Sequence, residues 1–559
     1  MIRSSFFLIF LFSLSPISAQ FSFDKMELTK ITYLSSNNGN TDENQNPVWV
    51  FSNEDIFLIT TKNDFENKSS YPFEITYVEG SSYSLIAYLG ENESVSMQDK
   101  TFIDQQQFEL LSETKKILGY DCKKAKTVIN SNTIELWYTE NAGIRASPRT
   151  LGAGLGLVLE IEINGNYKIQ VTEIKKEKVS FPEFILNSNP VYLEKIDYQD
   201  RIWQSRFTTI PVFQDQQIHW SEEFEPKDDV LRFANGTIAV KKIKFPRLNP
   251  SDKIFLELIE QSNGDAYDRT GSVFLIPTDK KQSFFNGLQD GAKTLPVYTN
   301  GNGKEYQGVV AIEDYTPLVE LMRFFTPFGI HHFNERIALK GKVWQDSVIY
   351  RQEISDYASL LDDKEAYIGT FIGNYDKGGH KISLNLTIHN EEDSNPNPIK
   401  VIPLFNTVNI MEMAGQEYAT MFDSDNGLIV EFELKEDLKN ARLRYITTGH
   451  GGWENGDEFV PKKNTILLDG KVIFDLIPWR EDCGSYRLYN PVSGNFQNGL
   501  SSSDYSRSNW CPGTVTNPFI IDLGKLEAGK HKIQVRIPQG KPEGNSFSAW
   551  NISGVLIGD

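Results

Sequence analysis

Two short stretches hold residue types that could do acid–base chemistry. The first is Asn263-Gly264-Asp265-Ala266-Tyr267-Asp268-Arg269-Thr270, set between the apolar runs Ile254 to Ile259 and Val273 to Ile276. Carboxylates are common proton-transfer groups. Beside Asp268, Arg269 favours the charged form and Asp265 opposes it. The second stretch, Thr448 to Phe459, carries Gly449, Gly451, Gly452 and Gly456 among His450, Trp453, Glu454, Asp457 and Glu458. Glycine at that density permits turns and close backbone approach. Taken singly, each stretch also fits a plain surface turn, the first with a local ion pair of little energetic consequence.

The elements around these stretches must be strands. Leu443 to Ile446 is apolar, and Thr465 to Leu468 and Lys471 to Leu476 are strand-like. Asp469-Gly470 joins the last two as a type I′ hairpin. Gly236 to Phe245, Arg336 to Val343, Lys381 to Ile388, Leu428 to Leu434 and Lys532 to Ile537 read as further strands, punctuated by Pro, Gly, Asn and Asp. Long helical periodicity is scarce. Many short strands of this kind build sandwiches or jelly rolls.

With these residues in view, the chain resembles the peptide-N-glycosidase F family. The resemblance rests on Tyr267-Asp268-Arg269 preceded by Asp265, on Gly456-Asp457-Glu458-Phe459, and on Arg507 followed by Trp510-Cys511-Pro512-Gly513, in that order. It covers roughly residues 225 to 559. It implies an all-β fold of two antiparallel eight-stranded jelly rolls side by side, and hydrolysis of the amide joining an N-glycan to asparagine. Amide hydrolysis needs an activated water, a stabilised oxyanion and a protonated leaving amine. The resemblance gives Asp268 the water-activating role and Glu458 a role in orienting the sugar or protonating the leaving nitrogen. Asp265, Tyr267, Arg269, His450, Trp453, Arg507 and Trp510 are then substrate-binding candidates, with aromatic rings stacking on sugar faces. Core packing is the plainer role for Trp510. The resemblance also pairs Cys483 with Cys511. The family's further glutamate has no match in Gly369 to His380, where Asp376, the nearest acid, is the candidate to substitute for it from a shifted position.

The 559 residues exceed one core and suggest several domains. We expect a signal peptide at 1–19, a β-rich accessory domain at 20–195, a first jelly roll at 196–400 and a second at 401–559. Met1 to Ala19 has Arg3, a short apolar core from Phe6 to Leu14 and small residues at Ser18-Ala19. This pattern predicts a secreted or periplasmic protein. Exposed Glu391 to Pro398 marks the boundary near 400. In the accessory domain, Leu118-Gly119-Tyr120-Asp121-Cys122 and Gly154-Leu155-Gly156-Leu157 resemble the exported family named for its Gly-Leu-Pro-Gly-Leu-Ile motif, with Leu155 in place of the proline. No catalytic constellation is found there, and Cys122 is left unpaired.

Composition limits the partners. The net charge of −19 argues against nucleic acid and anionic membranes. The substrate expected is an N-glycoprotein or glycopeptide, bound by a monomer without cofactor. Two alternatives stay open: a non-catalytic glycan-binding protein, and a copper monooxygenase of paired jelly rolls. The second needs clustered histidines. The chain has seven, of which only His331 and His332 are adjacent.

Overall fold

The computed structural model describes residues 27–42, 44–54, 56–222, 229–390, 395–451, 456–542 and 547–559. The Met1–Ala19 segment, Trp453 and the first half of the Glu391–Pro398 segment lie outside them. The chain forms two compact units divided after Arg206.

The N-terminal unit is one twelve-stranded sheet. Its first strand, Glu27–Asn37, pairs antiparallel with Tyr167–Lys178, so the beginning and end of the sheet meet in its middle. Buried Tyr33, Leu136 and Ile161 pack on one face, and Cys122 is buried with them as a free thiol. The Lys195–Ser205 helix closes the unit.

The second unit, Phe207–Asp559, holds two sandwiches. In the first, one sheet orders its strands Phe207–Ile218, His380–His389, Lys253–Ser262 and Val348–Glu353. The facing sheet runs Val230–Phe233, Ile238–Lys244, Glu365–Ile372, Thr270–Ile276 and Val319–Phe325. The second sandwich repeats the scheme. Lys400–Asn406, Ala549–Gly558, Leu438–His450 and Phe519–Leu526 face Leu428–Leu434, Gly529–Arg536, Asn464–Leu468 and Lys471–Leu476. In both, the opening strand pairs with the closing one, which is the jelly-roll order. The short edge strand Val230–Phe233 gives the first roll one strand more than eight.

Period-two burial explains these strands. In Lys253–Ser262 every second side chain from Ile254 to Ser262 is buried, and in His380–His389 every second one from His380 to Ile388. The Asp469-Gly470 turn has φ of 50° and 82°, as a type I′ hairpin requires. Arg336 to Val343 is not a strand. The segment turns at Gly341, exposes Leu339 and Val343, and bonds to itself, as from Lys342 N to Leu339 O. Its alternation is too short to define a buried face.

The two rolls are tied in two ways. Val515–Thr516, from the second roll, pairs with Arg323 and Phe324 and extends the first roll's sheet. Beneath it, Arg323 and Glu320 form a wholly buried ion pair, Nη2 to Oε2 at 2.6 Å. Arg323 Nη1 also donates to Asn551 O at 2.6 Å and Thr448 Oγ1 at 3.1 Å, while Ser553 Oγ donates to Glu320 Oε2 at 2.6 Å. All three outer partners belong to the second roll. Removing one member of such a pair strands a charge. Arg323→Met is therefore expected to cost about 3–5 kcal/mol in chemical denaturation, with partial recovery on adding Glu320→Gln. A cost below about 1 kcal/mol, the scale of an exposed pair, contradicts this role.

Candidate active site

The Asn263–Arg269 loop leaves the first roll between strands of opposite sheets. Its shape is set from within. Thr326 Oγ1 accepts from Arg269 N at 2.8 Å and donates to Tyr267 O at 3.1 Å. Asp265 Oδ1 accepts from Tyr267 N at 3.1 Å. Gly264 has φ of 146°, and a Cβ there meets Asp376 Oδ1 at 2.8 Å, so only glycine lets the neighbouring loop approach. The loop so shaped presents Asp268.

The Gly-rich stretch follows Leu438–His450 of the second roll. Gly451 has φ of 81°, and a Cβ would collide with Phe547 O. Asp457 is fully buried. Trp550 Nε1 donates to its Oδ2 at 2.8 Å and Gly540 N at 2.9 Å. Ser508 Oγ donates to the Asp457 carbonyl at 2.5 Å, and Ser508 N to the Glu458 carbonyl at 3.0 Å. This anchoring turns the next side chain, Glu458, to the opposite side.

Between the two loops lies Arg507. Its Nη1 donates to Asp268 Oδ2 at 2.8 Å and to Glu458 Oε1 at 2.5 Å. One nitrogen thus joins carboxylates from separate jelly rolls. Nη2 donates to Ser502 O at 2.6 Å and Ser502 Oγ at 3.0 Å. The guanidinium lies 4.3 Å from the Trp510 ring centroid and 5.0 Å from that of Phe459. Arg507 is 0% exposed, while Asp268 and Glu458 keep 16% and 19% of their side-chain surface. The charge is held inside and its acceptors reach the surface.

Burial pushes both carboxyls above the usual range, and the Arg507 charge opposes it. Glu458 is pushed up to about 7, with the Asp268 charge adding to the rise. The two titrate as a pair. One proton on them leaves a neutral cluster around Arg507, with a carboxylate able to take a proton and a carboxylic acid able to give one.

Other candidates take different places. Tyr267 is 62% exposed next to Asp268, and its ring centroid lies 5.0 Å from the Arg269 guanidinium. Exposed Tyr375 lies on that same guanidinium at 5.8 Å and near Trp220 at 6.0 Å, forming an aromatic rim. Asp265 is not available to a substrate. It is buried, and its oxygens serve Arg269 Nε at 2.7 Å, Arg269 Nη2 at 3.2 Å and the loop backbone. Burial alone would raise its pKa, but His380 and Arg269 hold it below the usual carboxylate range. Trp510 is core as well, donating to Gly449 O at 2.9 Å and stacking on Phe325. His450 stacks on Phe325, and its Nε2 lies 2.7 Å from Thr448 Oγ1. Burial, with Arg323 and Arg507 nearby, lowers its pKa to about 3 and keeps it neutral. Asp376 does not stand in for an absent acid. Its Oδ1 accepts from Gly378 N at 2.7 Å and Gly379 N at 2.8 Å, capping its own turn.

Beside Asp457, with Gly540 and Ser548 in its wall, a cavity of about 490 Å³ opens toward Asn409, Glu412 and Tyr418. Burial raises the Glu412 carboxyl. Among the described residues no group of three or more His, Cys, Asp or Glu has metal-holding geometry. Cys483 and Cys511 form a disulfide that ties the Arg507–Gly513 turn to the Cys483–Tyr489 helical turn. Sequence reading did not single out Ser502, Phe459 or Thr326. Only Phe459, beside Glu458, sat within a motif.

The chain matches three family models. Peptide-N-glycosidase F, N terminal, covers residues 209–388; peptide-N-glycosidase F, C terminal, covers 417–557. N-glycanase peptide, N-terminal domain, covers 31–200, the unit that resembled the Gly-Leu-Pro-Gly-Leu-Ile family in sequence. Two crystal forms of a protein called PNGF-II are each 53% identical to it. One has a TM-score of 0.89 and covers 96% of this chain and 98% of that one. The other has a TM-score of 0.91 and covers 95% and 99%. No curated protein matches the sequence.

The shared guanidinium makes the pair's titrations interdependent. Carboxyl-resolved infrared or NMR titration of Glu458 is expected to show a midpoint near 7 that falls in Asp268→Asn, where a neighbouring negative charge is lost. An unmoved midpoint contradicts the coupling.

Proposed function

Because the chain belongs to the peptide-N-glycosidase F family of glycan-removing amidases, we propose that it hydrolyses the amide joining an N-linked glycan to asparagine. The observation that carries this reading is the Arg507 bridge between Asp268 and Glu458 at the meeting of the two rolls. Asp268 removes a proton from water, and the water oxygen attacks the asparagine side-chain carbonyl carbon. As the carbon–nitrogen bond breaks, Glu458 delivers its proton to the departing nitrogen. The glycan leaves as a glycosylamine and the peptide keeps an aspartate. Arg507 holds both carboxyls in register. Tyr267 and Tyr375 offer faces for the sugar next to the bond.

The substrate is then an N-glycoprotein or glycopeptide, and the protein acts as a monomer. The Met1–Ala19 pattern and the Cys483–Cys511 disulfide support export from the cytoplasm. One feature favours a second reading, glycan binding without turnover: Asp376 does not replace the family's further glutamate, being spent on its own loop.

A denatured glycoprotein incubated with the protein in chelator is expected to show conversion of glycosylated Asn to Asp by mass spectrometry. Asp268→Asn is expected to lower turnover by roughly 10²–10⁴ while glycopeptide affinity survives. Binding without Asn conversion in the wild type selects the second reading. Near-wild-type turnover in a folded Asp268→Asn removes Asp268 from the mechanism.

A further inference from the structure

Beneath the Asp268 loop lies a buried charge cluster. Glu260 and His380 occupy inward positions of adjacent strands, each continuing a row of buried apolar side chains: Ile254, Leu256 and Leu258 on one, Ile382, Leu384 and Leu386 on the other. Both are 0% exposed. His380 Nδ1 stands 2.8 Å from Glu260 Oε1, and Nε2 stands 3.4 Å from Asp265 Oδ2. Asp265 in turn binds Arg269. His380 starts its strand opposite Ser262, the last residue before the loop, and Ser262 Oγ donates to Asp265 O at 2.5 Å. The imidazole therefore joins the end of the rigid sheet to the residue that shapes the loop.

We propose that His380 is a positioning residue: held between Glu260 and Asp265 as an imidazolium, it locks the Asn263–Arg269 loop so that Asp268 meets Arg507. The lock itself is a structural claim; its effect on turnover rests on the amidase reading above. The groups facing the imidazole are Glu260 from Lys253–Ser262 and Asp265 from the loop. Arg269 stands behind Asp265, and Tyr350 of Val348–Glu353 stands near Glu260. With His380 protonated, the two cations balance the two carboxylates. Without that proton, one buried negative charge is left unbalanced. Burial alone would lower the imidazole pKa, but Asp265 and Glu260 raise it to about 9. Its stabilisation is thus complete below the ordinary value near 6.5 and is lost as pH rises through about 9.

The test uses the full chain as wild type, His380→Gln and Glu260→Gln. Hydrogen-exchange protection of residues 263–269, corrected for the intrinsic rate, is measured across pH together with kcat and KM on a glycopeptide. In His380→Gln at neutral pH, loop protection is expected to fall roughly tenfold while the interior of Lys253–Ser262 stays protected. Turnover should fall by roughly 10–10², as expected for a misplaced group, with a smaller rise in KM because Tyr267 rides on the same loop. In the wild type the loop should loosen as pH passes about 9. In Glu260→Gln it should loosen at lower pH, because one carboxylate holding the proton is gone. If His380→Gln loses protection throughout, Glu260→Gln carries the test alone. Wild-type loop protection in folded His380→Gln, or an unmoved loosening pH in Glu260→Gln, overturns the lock. Loop changes as described in a protein with no amidase activity support the lock and count against the proposed function instead.

Discussion

A guanidinium with no solvent exposure must be neutralised where it stands, and Arg507 is neutralised by Asp268 and Glu458 together. A change of charge at either carboxyl is therefore felt by the other across the shared guanidinium. This constraint couples two loops that are about 190 positions apart in the chain and belong to different sandwiches. It also explains why both carboxyls sit above their ordinary range despite a cation in contact. One positive charge cannot stabilise two negative ones in a desolvated site.

Such a bridge works only if the rolls cannot drift. Arg323 and Glu320 supply the deep tie, and the Thr514–Thr516 segment supplies the shallow one, with Phe325 N and O bonded to Thr514 O and Gly513 N. The disulfide fixes the same turn through Cys511. Trp510 fills the space between, stacked on Phe325 on one hand and lying near the Arg507 guanidinium on the other. The chemistry-bearing side chains are thus mounted on short loops, and the precision comes from what lies under them.

Much of this was legible in the sequence because strands declare themselves by period two and hairpins by their turn residues. Leu428 to Leu434 and the Asp469-Gly470 hairpin are local patterns with local causes. The three motifs marked the residues that meet at Arg507, although spacing says nothing about the contact itself. What failed was the direction in which polar side chains point. The resemblance makes Asp265 a site acid, yet its carboxyl is buried and bound to Arg269. Asp376 looked like a substitute acid, yet its turn consumes it. Glu260 and His380 carry a further sequence signal: an ionisable residue at an inward position of an otherwise apolar alternation must find a charged partner. Trp453 lies outside the described residues, so its part in the site rests on sequence alone.

One buried cation makes two carboxyls act as a unit. This coupling is tested most directly by turnover of Arg507→Lys on an N-glycopeptide. Lysine keeps the charge, but its ammonium lacks the planar guanidinium that Ser502 and the Trp510 ring hold in place so that Nη1 reaches Asp268 and Glu458 at once. The account predicts a loss of at least roughly 10²-fold in kcat, with the fold retained through Arg323 and the disulfide. Turnover within a few fold of wild type in a folded Arg507→Lys contradicts it.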